Sequence, residues 1–519
     1  MSAPTVVPGG EAPAGGWETV IGLEVHVQLK TRTKMFCGCS SVFGDPPNTN
    51  VCPVCLGLPG ALPAPNEQAL RLAVRAAYGL GLTVHPRSIF ARKNYFYPDL
   101  PKGYQISQHV EPLSTGGRLE IESPDRGPLT VGITRIHLEE DAAKSFHDKV
   151  PGMTAVDFNR SGVPLIEIVG EPDLRSPAEA RAYLTALKQV LVYLEVSDCS
   201  MEEGSLRVDA NVSVRPAGNA ELRTRCEIKN LNSFANVERA LVFERDRHIA
   251  VYVSGGTIEQ RTMTFDAAKG EVRPVRSKEE SHDYRYFPEP DIPPLVLTEA
   301  WLAAERGALP ELPAAKRARF EKQHGLTRYE AGVLTAEREQ ADLYEMAVAK
   351  GGSPKSVATW MMNEVDRLQA VYKRVSSPEI ARLTPRLSSA EVFVTAVAAV
   401  SQSVETGDLN RQGGRQLLEE IAAKPERLVE SLAAGAPRAI AASLAKPLGI
   451  LQISDAGEIE GWVREVLDVH AAQVARYKGG EEKLYGFLVG QVMKRSKGRA
   501  DPKLVNAALV RVLKGTPGG

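Results

Sequence analysis

Apolar and polar residues alternate along two segments in the first half of the chain. In Ile21–Leu29, apolar residues occupy every second position, and Glu24, His26 and Gln28 stand between them. Successive side chains in a strand point to opposite faces, so this pattern predicts a strand with one core face and one polar face. Leu206–Arg215 repeats the pattern. Its polar face would carry Arg207, Asp209, Asn211, Ser213 and Arg215.

Charged residues also lie among apolar ones in three shorter segments, which are Ile133–Asp141, Pro164–Val169 with Glu167, and Cys226–Asn230 with Lys229. In the first of these segments, strict alternation places Glu139, and not Glu140, on the face of Arg135 and His137. A strand end or a bulge would turn Glu140 towards that face instead, and the sequence leaves both arrangements open.

Carboxylates next to imidazole and guanidinium groups are what a site for a metal ion and phosphate groups requires. An ordinary solvent-facing strand would carry scattered Lys, Thr and Glu. Each segment taken alone also fits a half-exposed antiparallel strand. Five such segments within the first half of the chain favour one shared reaction site on a sheet.

Alternating strands favour antiparallel pairing, because the strands of a parallel sheet are continuous apolar runs. Two helices are predicted within this part of the chain. Asn66 would cap a helix that ends near Leu80, and Ser176 would open a second helix through a capping box with Glu179. An apolar stripe along the second helix predicts that it packs on the core.

Proline is dense at Pro288–Pro294, and the chain beyond it is rich in Ala, Leu, Glu and Arg, which favour helix. A second break falls at Gly435–Pro437. We therefore predict an α+β fold, in which an antiparallel-sheet domain precedes all-α domains. The predicted parts are a disordered tail at 1–16, a sheet domain at 17–294, a helical domain at 295–435 and a basic tail domain at 436–519.

The composition indicates a globular protein but does not identify its function. The chain has 519 residues, 43% of them apolar and 24% charged, which is ordinary for globular proteins. The 63 Lys and Arg nearly balance the 64 Asp and Glu, so binding of nucleic acid through bulk charge is not expected. No apolar run is long enough for a membrane span, and residues 1–16 do not resemble a signal peptide. We expect a cytoplasmic protein.

Four cysteines form two close pairs, Cys37 with Cys39 and Cys52 with Cys55. Four thiolates can bind zinc tetrahedrally, and full thiolate coordination would make the zinc structural. Residues 37–55 are therefore predicted to form a zinc knuckle; two disulfides or unrelated thiols are the alternatives. Cys199 and Cys226 have no such neighbours and are predicted to be buried apolar groups.

The last segment, 471–519, has ten Lys and Arg against three acidic residues, in a chain whose net charge is -1. This asymmetry predicts a surface that follows a phosphate backbone, although a solvated helix face would have a similar composition. The candidate residues are Lys494, Arg495, Lys497, Arg499 and Lys503. The chain has no P-loop, dinucleotide fingerprint, nucleophile elbow or Gly-Ser-rich amidase stretch.

Several motifs together resemble one family. The segment DFNRSGVPLIEI at Asp157–Ile168 is similar to the signature of the B subunits of aspartyl/glutamyl-tRNA amidotransferases (GatB). Five further motifs resemble this family, namely Ile21–His26, Arg92–Asp99, Gly103–Gln108, Met201–Arg207 and Asp283–Asp291. The resemblance extends from about Trp17 to the C-terminus. The archaeal relative GatE carries a large insertion that has no counterpart here.

The resemblance implies a fold, an activity and partners. The fold would be a cradle similar to glutamine synthetase, followed by helical parts, the last similar to YqeY, that hold tRNA. The activity would be ATP-dependent phosphorylation of Glu on tRNA(Gln) or Asp on tRNA(Asn), followed by amidation with ammonia. Ammonia would come from the GatA subunit, with GatC completing a heterotrimer; an aminoacyl-tRNA synthetase is a further possible partner.

The resemblance also implies roles for individual residues. Glu24, His26, Glu140 and Glu167 match the metal-binding positions of the family and would hold magnesium, with Glu140 also catalytic. Strand geometry, rather than the resemblance, suggests Arg207, Asp209 and Lys229 for stabilising the transferring phosphoryl group or a second metal. A polar, aromatic segment would bind adenine or the terminal adenosine of tRNA, or else pack at a sheet edge. Its residues are Lys93, Asn94, Tyr95 and Tyr97.

Two other functions fit parts of the same sequence. A ligase similar to glutamine synthetase would act on a free small acid, but such a substrate would not need the basic helical tail. A tRNA-binding scaffold with an inactive kinase site would not need the retained acidic, imidazole and guanidinium groups. These considerations favour the amidotransferase subunit.

Overall fold

The computed structural model describes residues 16–275 and 283–514, apart from the side chain of Asp148. The chain divides into two compact units, with the division between Pro313 and Ala314. Of the predicted disordered tail at 1–16, only Gly16 lies within the described residues. The predicted domain boundaries at 294 and 435 stay predictions.

Among the residues that the structure describes, strands occur only in the first unit. In chain order they are β1 (Trp17–Gln28), β2 (Thr83–Val84), β3 (Arg87–Ser88), β4 (Ala91–Asn94), β5 (Tyr104–Ser107), β6 (Ser114–Ser123), β7 (Gly127–Glu140), β8 (Lys144–Val150), β9 (Met153–Asp157), β10 (Pro164–Gly170), β11 (Leu206–Pro216), β12 (Cys226–Leu231), β13 (Thr262–Asp266), β14 (Glu271–Pro274), β15 (Phe287–Pro288) and β16 (Leu295–Val296).

Nine of these strands form one sheet in the order β14-β13-β12-β11-β1-β10-β7-β6-β2. Neighbouring strands are antiparallel, except that β12 runs parallel to β13. The N-terminal strand β1 therefore lies in the middle, between β10 and β11. Strands β4, β5 and β15 form a separate three-stranded sheet, β3 pairs with β16, and β8 pairs with β9.

One face of the large sheet belongs to the hydrophobic core. Leu23, Val25 and Val27 of β1 are at most 1% exposed, while Glu24 and His26 between them are half-buried. Each fully buried aliphatic side chain of this kind stabilises the fold by about 2 kcal/mol. The alternation in the sequence thus predicted both faces of this strand.

Helices α1 (Glu67–Gly79), α2 (Pro177–Tyr193) and α3 (Phe234–Val253) contribute to the same core, and α4 (Glu299–Gly307) completes the helices of this unit. Asn66 caps α1 by accepting from the backbone N–H groups of Gln68 and Ala69, as predicted. Ser176 caps α2, but Glu179 does not close the predicted capping box. Its carboxylate instead accepts from the N–H of Arg175 and from Arg126.

From Pro313 onward the regular elements are helices. They are α5 (Pro313–His324), α6 (Arg328–Leu334), α7 (Arg338–Ala349), α8 (Pro354–Asn363), α9 (Val365–Val375), α10 (Pro378–Leu383), α11 (Ser389–Glu405), α12 (Arg411–Ala423), α13 (Pro425–Ser431), a 3₁₀ turn (Leu432–Ala434), α14 (Pro437–Leu448), α15 (Ala456–Val469), α16 (Ala471–Lys478), α17 (Leu484–Arg495) and α18 (Pro502–Lys514).

The second unit contains two hydrophobic clusters. The larger surrounds α11, whose residues Val392–Val400 are almost completely buried, and the smaller joins α15, α17 and α18. A large, mostly antiparallel sheet followed by helices confirms the predicted α+β fold. Within the described residues, each helix is too short or too polar to cross a membrane.

Candidate active site

The register of the central strands places four side chains in one row across the polar face of the sheet. His26 of β1 lies opposite Glu167 of β10 on one side and opposite Arg207 of β11 on the other. Glu167 lies in turn opposite His137 of β7. Directly opposite residues have Cβ atoms about 5 Å apart. The row therefore forms one continuous polar surface.

Glu139, two residues after His137 on β7, joins this row. His26 Nε2 lies 3.6 Å from Glu139 Oε1 and 3.4 Å from Glu167 Oε2. One ligand atom from each of these three residues lies within 4.8 Å of the others. Two carboxylates and one imidazole at this spacing can hold a divalent cation, and the carboxylates suit magnesium better than the imidazole does.

Charges around the row move the pKa values of its members. Burial alone would lower the pKa of His137, but Glu139 and Glu167 outweigh it and raise that pKa to about 9. The same carboxylates raise the pKa of His26 against the effect of burial. Burial would raise the pKa of Glu167, but the two imidazoles outweigh it and lower that pKa. The carboxylates of Glu139 and Glu167 thus favour a positive charge beside them, which either an imidazole or a bound cation can supply.

The structure does not bring Glu140 into this group. Glu140 lies on the opposite face of β7, where its carboxylate accepts from Lys102 Nζ and, at 3.0 Å, from the N–H of Ile106. The pairing of β7 with β10 is regular at this end, without a bulge that would turn Glu140. Strict alternation, which favoured Glu139, therefore describes the geometry.

Glu24 lies on the polar face at the next polar position of β1. It pairs in register with Asp209 of β11 and accepts a hydrogen bond from Asn211 Nδ2 at 3.1 Å. Burial and the carboxylates of Glu167, Glu227 and Asp209 raise the pKa of Glu24. This excess of negative charge next to the row would be reduced by a bound cation.

Arg207 is held by an aspartate that follows β7. Its Nη2 donates to Asp141 Oδ1 at 3.0 Å, and Gln28 Nε2 donates to Asp141 Oδ2 at 2.9 Å. Burial would raise the pKa of Asp141, but Arg207 and Arg160 outweigh it and lower that pKa. Asp141 is 3% exposed, so it orients Arg207, whose side chain is 35% exposed, from below the polar surface.

Lys229 of β12 continues the charged surface. Its Nζ lies 2.7 Å from Asp209 Oδ2 and 3.1 Å from Glu227 Oε1. Burial would lower the pKa of Lys229, but these two carboxylates raise it. Of the three residues chosen from strand geometry, Lys229 and Asp209 thus form one ion pair, and Arg207 forms another with Asp141.

The segment around Lys93 belongs to the small three-stranded sheet. Lys93 Nζ lies 4.8 Å from the ring centre of Tyr284, and Tyr95 meets the same ring edge-on at 6.1 Å. Asn94 Nδ2 donates to the carbonyls of Tyr284 and Arg285. Tyr97 is exposed and borders a cavity of about 500 Å³ lined by residues between Phe96 and Gly103. Burial would lower the pKa of Lys93, but nearby charges, among them those of Glu139 and Glu167, raise it. This segment therefore borders the row.

The four paired cysteines come together in space. Their Sγ atoms lie within 4.8 Å of one another, and those of Cys52 and Cys55 are 3.9 Å apart. Tetrahedral zinc with Zn–S bonds of about 2.3 Å needs sulfurs about 3.8 Å apart. All six cysteines are free of disulfides. A hydrogen bond from Cys37 lowers the pKa of Cys55. Four sulfurs at this spacing are a donor set that fits zinc.

The two remaining cysteines are buried, as predicted. Cys226 nevertheless lies beside Glu244 and His248 of α3, in a second group with the spacing of metal ligands. Arg247 already pairs with Glu244 and donates to Cys226 Sγ at 3.7 Å. Its guanidinium supplies the positive charge there.

The candidate tRNA-binding residues surround the end of α17. Lys494, Lys497 and Lys503 are exposed, while Arg499 is half-buried. Arg495 pairs with Glu465 at 3.0 Å. Lys497 has a φ of 54°, in the turn that links α17 to α18. The five basic residues thus lie in the last turn of α17, in the turn that follows it and at the start of α18.

Sequence reasoning missed His137 and Asp141 as members of this site. The available signal was their spacing, because both lie an even number of residues from Glu139 and therefore on its face. Gln28, on the polar face of β1, had the same signal. The sequence alone does not show which strand lies next to each of these positions.

Comparisons with known proteins cover almost the whole chain. Residues 19–303 match the GatB/GatE catalytic domain, and residues 342–513 match the GatB domain that contains the YqeY-like part. The B subunit of the aspartyl/glutamyl-tRNA(Asn/Gln) amidotransferase of Geotalea uraniireducens is 48% identical over 96% of this chain and 100% of its own length. That of Halorhodospira halophila is 47% identical over the same shares. That of Caldanaerobacter subterraneus is 48% identical over 95% of this chain and 98% of its own. The chain belongs to the GatB family.

Proposed function

We propose that this chain is the subunit of a tRNA-dependent amidotransferase that activates the amino acid of a misacylated tRNA. Its substrate would be Glu-tRNA(Gln), Asp-tRNA(Asn) or both. The observation that carries the proposal is the row His137–Glu167–His26–Arg207, with Glu139 beside it, in a chain of the GatB family. Such a surface suits a metal ion and phosphate groups. We expect it to work in the cytoplasm, where aminoacyl-tRNA is used.

The proposed reaction has two steps. A side-chain carboxylate oxygen of the aminoacyl group attacks the γ-phosphorus of ATP, the bond to the bridging oxygen breaks, and ADP leaves. Ammonia then attacks the acyl carbon of the acyl phosphate, phosphate leaves with the bonding electrons, and the amide loses a proton. The products are Gln-tRNA(Gln) or Asn-tRNA(Asn), ADP and phosphate.

Each polar residue of the sheet has a place in this proposal. His26, Glu139 and Glu167 would hold Mg²⁺, which would neutralise the phosphate oxygens during transfer. Arg207 would stabilise negative charge on the transferring phosphoryl group, since its guanidinium is held by Asp141 and is still one-third exposed. Lys229, tied to Asp209, would do the same from β12. Glu24 and Asp209 are candidates for a second cation. Glu140, the family-based choice, would act by holding Lys102.

Other regions of the chain would bind the remaining parts of the substrates. Lys93, Asn94, Tyr95 and Tyr97 offer aromatic rings and donors for adenine or for the terminal adenosine of tRNA. The basic surface at Lys494, Arg495, Lys497, Arg499 and Lys503 would contact the tRNA backbone. The four-cysteine cluster would bind zinc as a structural ion.

Ammonia would be supplied by partner subunits. The sequence contains no amidase nucleophile motif, and a chain that makes an acyl phosphate needs an ammonia source. The proposed partners are GatA, which would release ammonia from glutamine, and GatC, in a heterotrimer. An aminoacyl-tRNA synthetase that makes the misacylated tRNA would be a further partner.

The experiment is to measure phosphate release from ATP by the purified chain with Mg²⁺ and ammonium. Glu-tRNA(Gln), Asp-tRNA(Asn) and uncharged tRNA are added in turn, with a parallel series that contains GatA and GatC. Release that requires one misacylated tRNA supports the proposal and identifies the substrate. Release stimulated by a free amino acid would instead indicate a ligase similar to glutamine synthetase. Tight tRNA binding without release, even with the partners, would indicate a scaffold.

A further inference from the structure

Lys34 is a buried cation without a carboxylate partner in the described part of the chain. It is 0% exposed. Its Nζ donates to the carbonyl of Asn50 at 2.7 Å and to that of Phe158 at 3.1 Å. A buried ammonium is expensive unless its donors are satisfied, so its position is fixed by these two carbonyls. They belong to different parts of the chain.

Asn50 belongs to the predicted zinc knuckle at 37–55, and Phe158 belongs to the segment 158–163. Further contacts join these two parts. The N–H of Asn50 donates to Asn159 Oδ1 at 2.8 Å, and Ser161 Oγ donates to the Cys55 carbonyl at 3.3 Å. At Gly162, whose φ is +86°, a Cβ would lie 3.5 Å from Lys34 Cδ and 3.6 Å from Cys55 Cβ. The segment therefore packs directly on Lys34 and on the cysteine cluster.

The other side of segment 158–163 holds the end of β7. The N–H of Gly162 donates to the Asp141 carbonyl at 2.9 Å, and the N–H of Asp141 donates to the Val163 carbonyl at 2.8 Å. Arg160 donates to the carbonyls of Ala142 and Ala143 at 2.9 and 2.7 Å. The backbone of Asp141 is thus fixed from both sides by this segment.

Asp141 connects this packing to the polar face, because its carboxylate accepts from Arg207. We propose that Lys34 is a positioning residue for phosphoryl transfer: it clamps segment 158–163, which fixes Asp141 and through it Arg207. This inference rests on the proposed function and adds a residue to it. Lys34 itself does not touch the polar face, so its contribution would be to the orientation of Arg207.

Orientation matters because a misplacement of about 1 Å can lower a rate about a hundredfold. Without the ammonium, the carbonyls of Asn50 and Phe158 lose a donor, which leaves them partly unsatisfied and loosens segment 158–163. The affinity for ATP in the ground state should change little, because the other charged side chains of the polar surface stay in place. A drop in kcat with a nearly unchanged KM for ATP is the pattern of a lost transition-state contact.

The test uses Lys34→Met, which keeps the length of the side chain and removes its donors. The matched control is Lys316→Met, since Lys316 is also buried and lies in the second unit, where it pairs with Asp342 and Glu345. Two quantities are measured on the full chain. They are the hydrogen exchange of peptides covering 139–143 and 158–166, and kcat and KM for ATP in tRNA-dependent phosphate release.

We expect Lys34→Met to speed exchange in both peptides and to lower kcat at least about tenfold, with the KM for ATP within about twofold. Lys316→Met should change neither. In a double-mutant cycle with Arg207→Lys, the effect of Lys34→Met on kcat should largely disappear, because both changes act on one contact. Full additivity would show that Lys34 acts elsewhere and would overturn the proposal.

Other results are equally decisive. A folded Lys34→Met protein with a lower melting temperature but normal kcat would make Lys34 purely structural. If that variant does not fold, Arg160→Met loosens the same segment from its half-exposed side; normal kcat and normal exchange at Asp141 would then refute the clamp. If the wild-type chain releases no phosphate with any tRNA, even when GatA and GatC are present, the proposed function fails. In that case, the hydrogen exchange of the peptide covering 139–143 in Lys34→Met still shows whether Lys34 holds Asp141 in place.

Discussion

At the scale of single residues, Glu139 and Glu140 show how far neighbouring carboxylates can differ. Both are almost completely buried at the end of β7. Glu139 faces the polar surface with His26, whereas Glu140 faces the other side and holds Lys102. The same conservative substitution at the two positions should therefore separate metal binding from structural support.

We expect Glu139→Gln to lower tRNA-dependent phosphate release by about 10- to 100-fold and to raise the Mg²⁺ concentration needed for half-maximal rate, since a ligand loses its charge. Glu140→Gln should mainly lower stability, by about 3 kcal/mol, because Lys102 is left as an unpaired buried cation. Mg²⁺ titrations of the rate and urea unfolding measure the two effects. A shifted Mg²⁺ requirement for Glu140→Gln alone would assign the metal to Glu140.

Glu179 gives a prediction about pH. Its carboxylate accepts from Arg126, Arg175 and Ser123, and these contacts lower its pKa to about 2 although burial opposes them. Because the pKa is lower in the folded state, the stabilisation is present in full above about pH 4.5 and is lost as the pH falls towards 2. Its size at neutral pH is about 2 kcal/mol after allowance for the exposed Arg126.

Glu179→Gln should therefore lower the urea midpoint at pH 7 more than at pH 3.5, where the wild-type chain has lost part of the same stabilisation. The control is Glu120→Gln, on the exposed face of β6, which should have little effect at either pH. An equal loss at both pH values would mean that Glu179 acts through its shape and not its charge.

At the scale of elements, the sequence predicted which face of a strand is buried better than it predicted which strands pair with each other. Alternation assigned the two faces of β1 and β11, and Asn66 and Ser176 marked the starts of α1 and α2. The order of strands could not be predicted, because β1 pairs with β10 and β11, far along the chain. His137 and Asp141 were missed for this reason, since their roles depend on which strand lies beside β7.

The zinc knuckle at 37–55 can be tested by a substitution that removes its proposed zinc ion. Cys52→Ser takes away one of four sulfurs that fit tetrahedral zinc. We expect the zinc content of the purified chain to fall from about one equivalent to nearly zero, with a lower melting temperature. Cys199→Ser is the control, because Cys199 is buried apart from the cluster. Full zinc retention in Cys52→Ser would contradict the four-sulfur site.

At the scale of the whole molecule, charge is distributed unevenly between regions. The net charge is -1, yet exposed Lys494, Lys497 and Lys503 share one stretch of the second unit. The composition of 471–519 predicted this concentration. The helical packing that exposes these side chains depends on three-dimensional contacts within the cluster of α15, α17 and α18.

We expect Lys494→Gln combined with Lys497→Gln to weaken tRNA binding and to flatten its salt dependence. Each lost phosphate contact should reduce the slope of log K against log salt by about 0.7 to 0.9. The control is Lys446→Gln, at an exposed position in the last turn of α14. Filter binding over a series of KCl concentrations measures both quantities. An unchanged slope would place the tRNA contacts elsewhere.

The central position of β1 has a consequence for synthesis of the protein. Its two neighbours lie far along the chain, since β10 begins at Pro164 and β11 ends at Pro216. Roughly 190 residues must follow β1 out of the ribosome before both ladders can close, which takes about 10 to 40 s at about 5 to 20 residues per second. During that interval the nascent chain exposes the apolar face of β1 and the unpaired backbone of both its edges. Chaperones that bind nascent chains should therefore engage this strand for as long as translation of β11 is delayed.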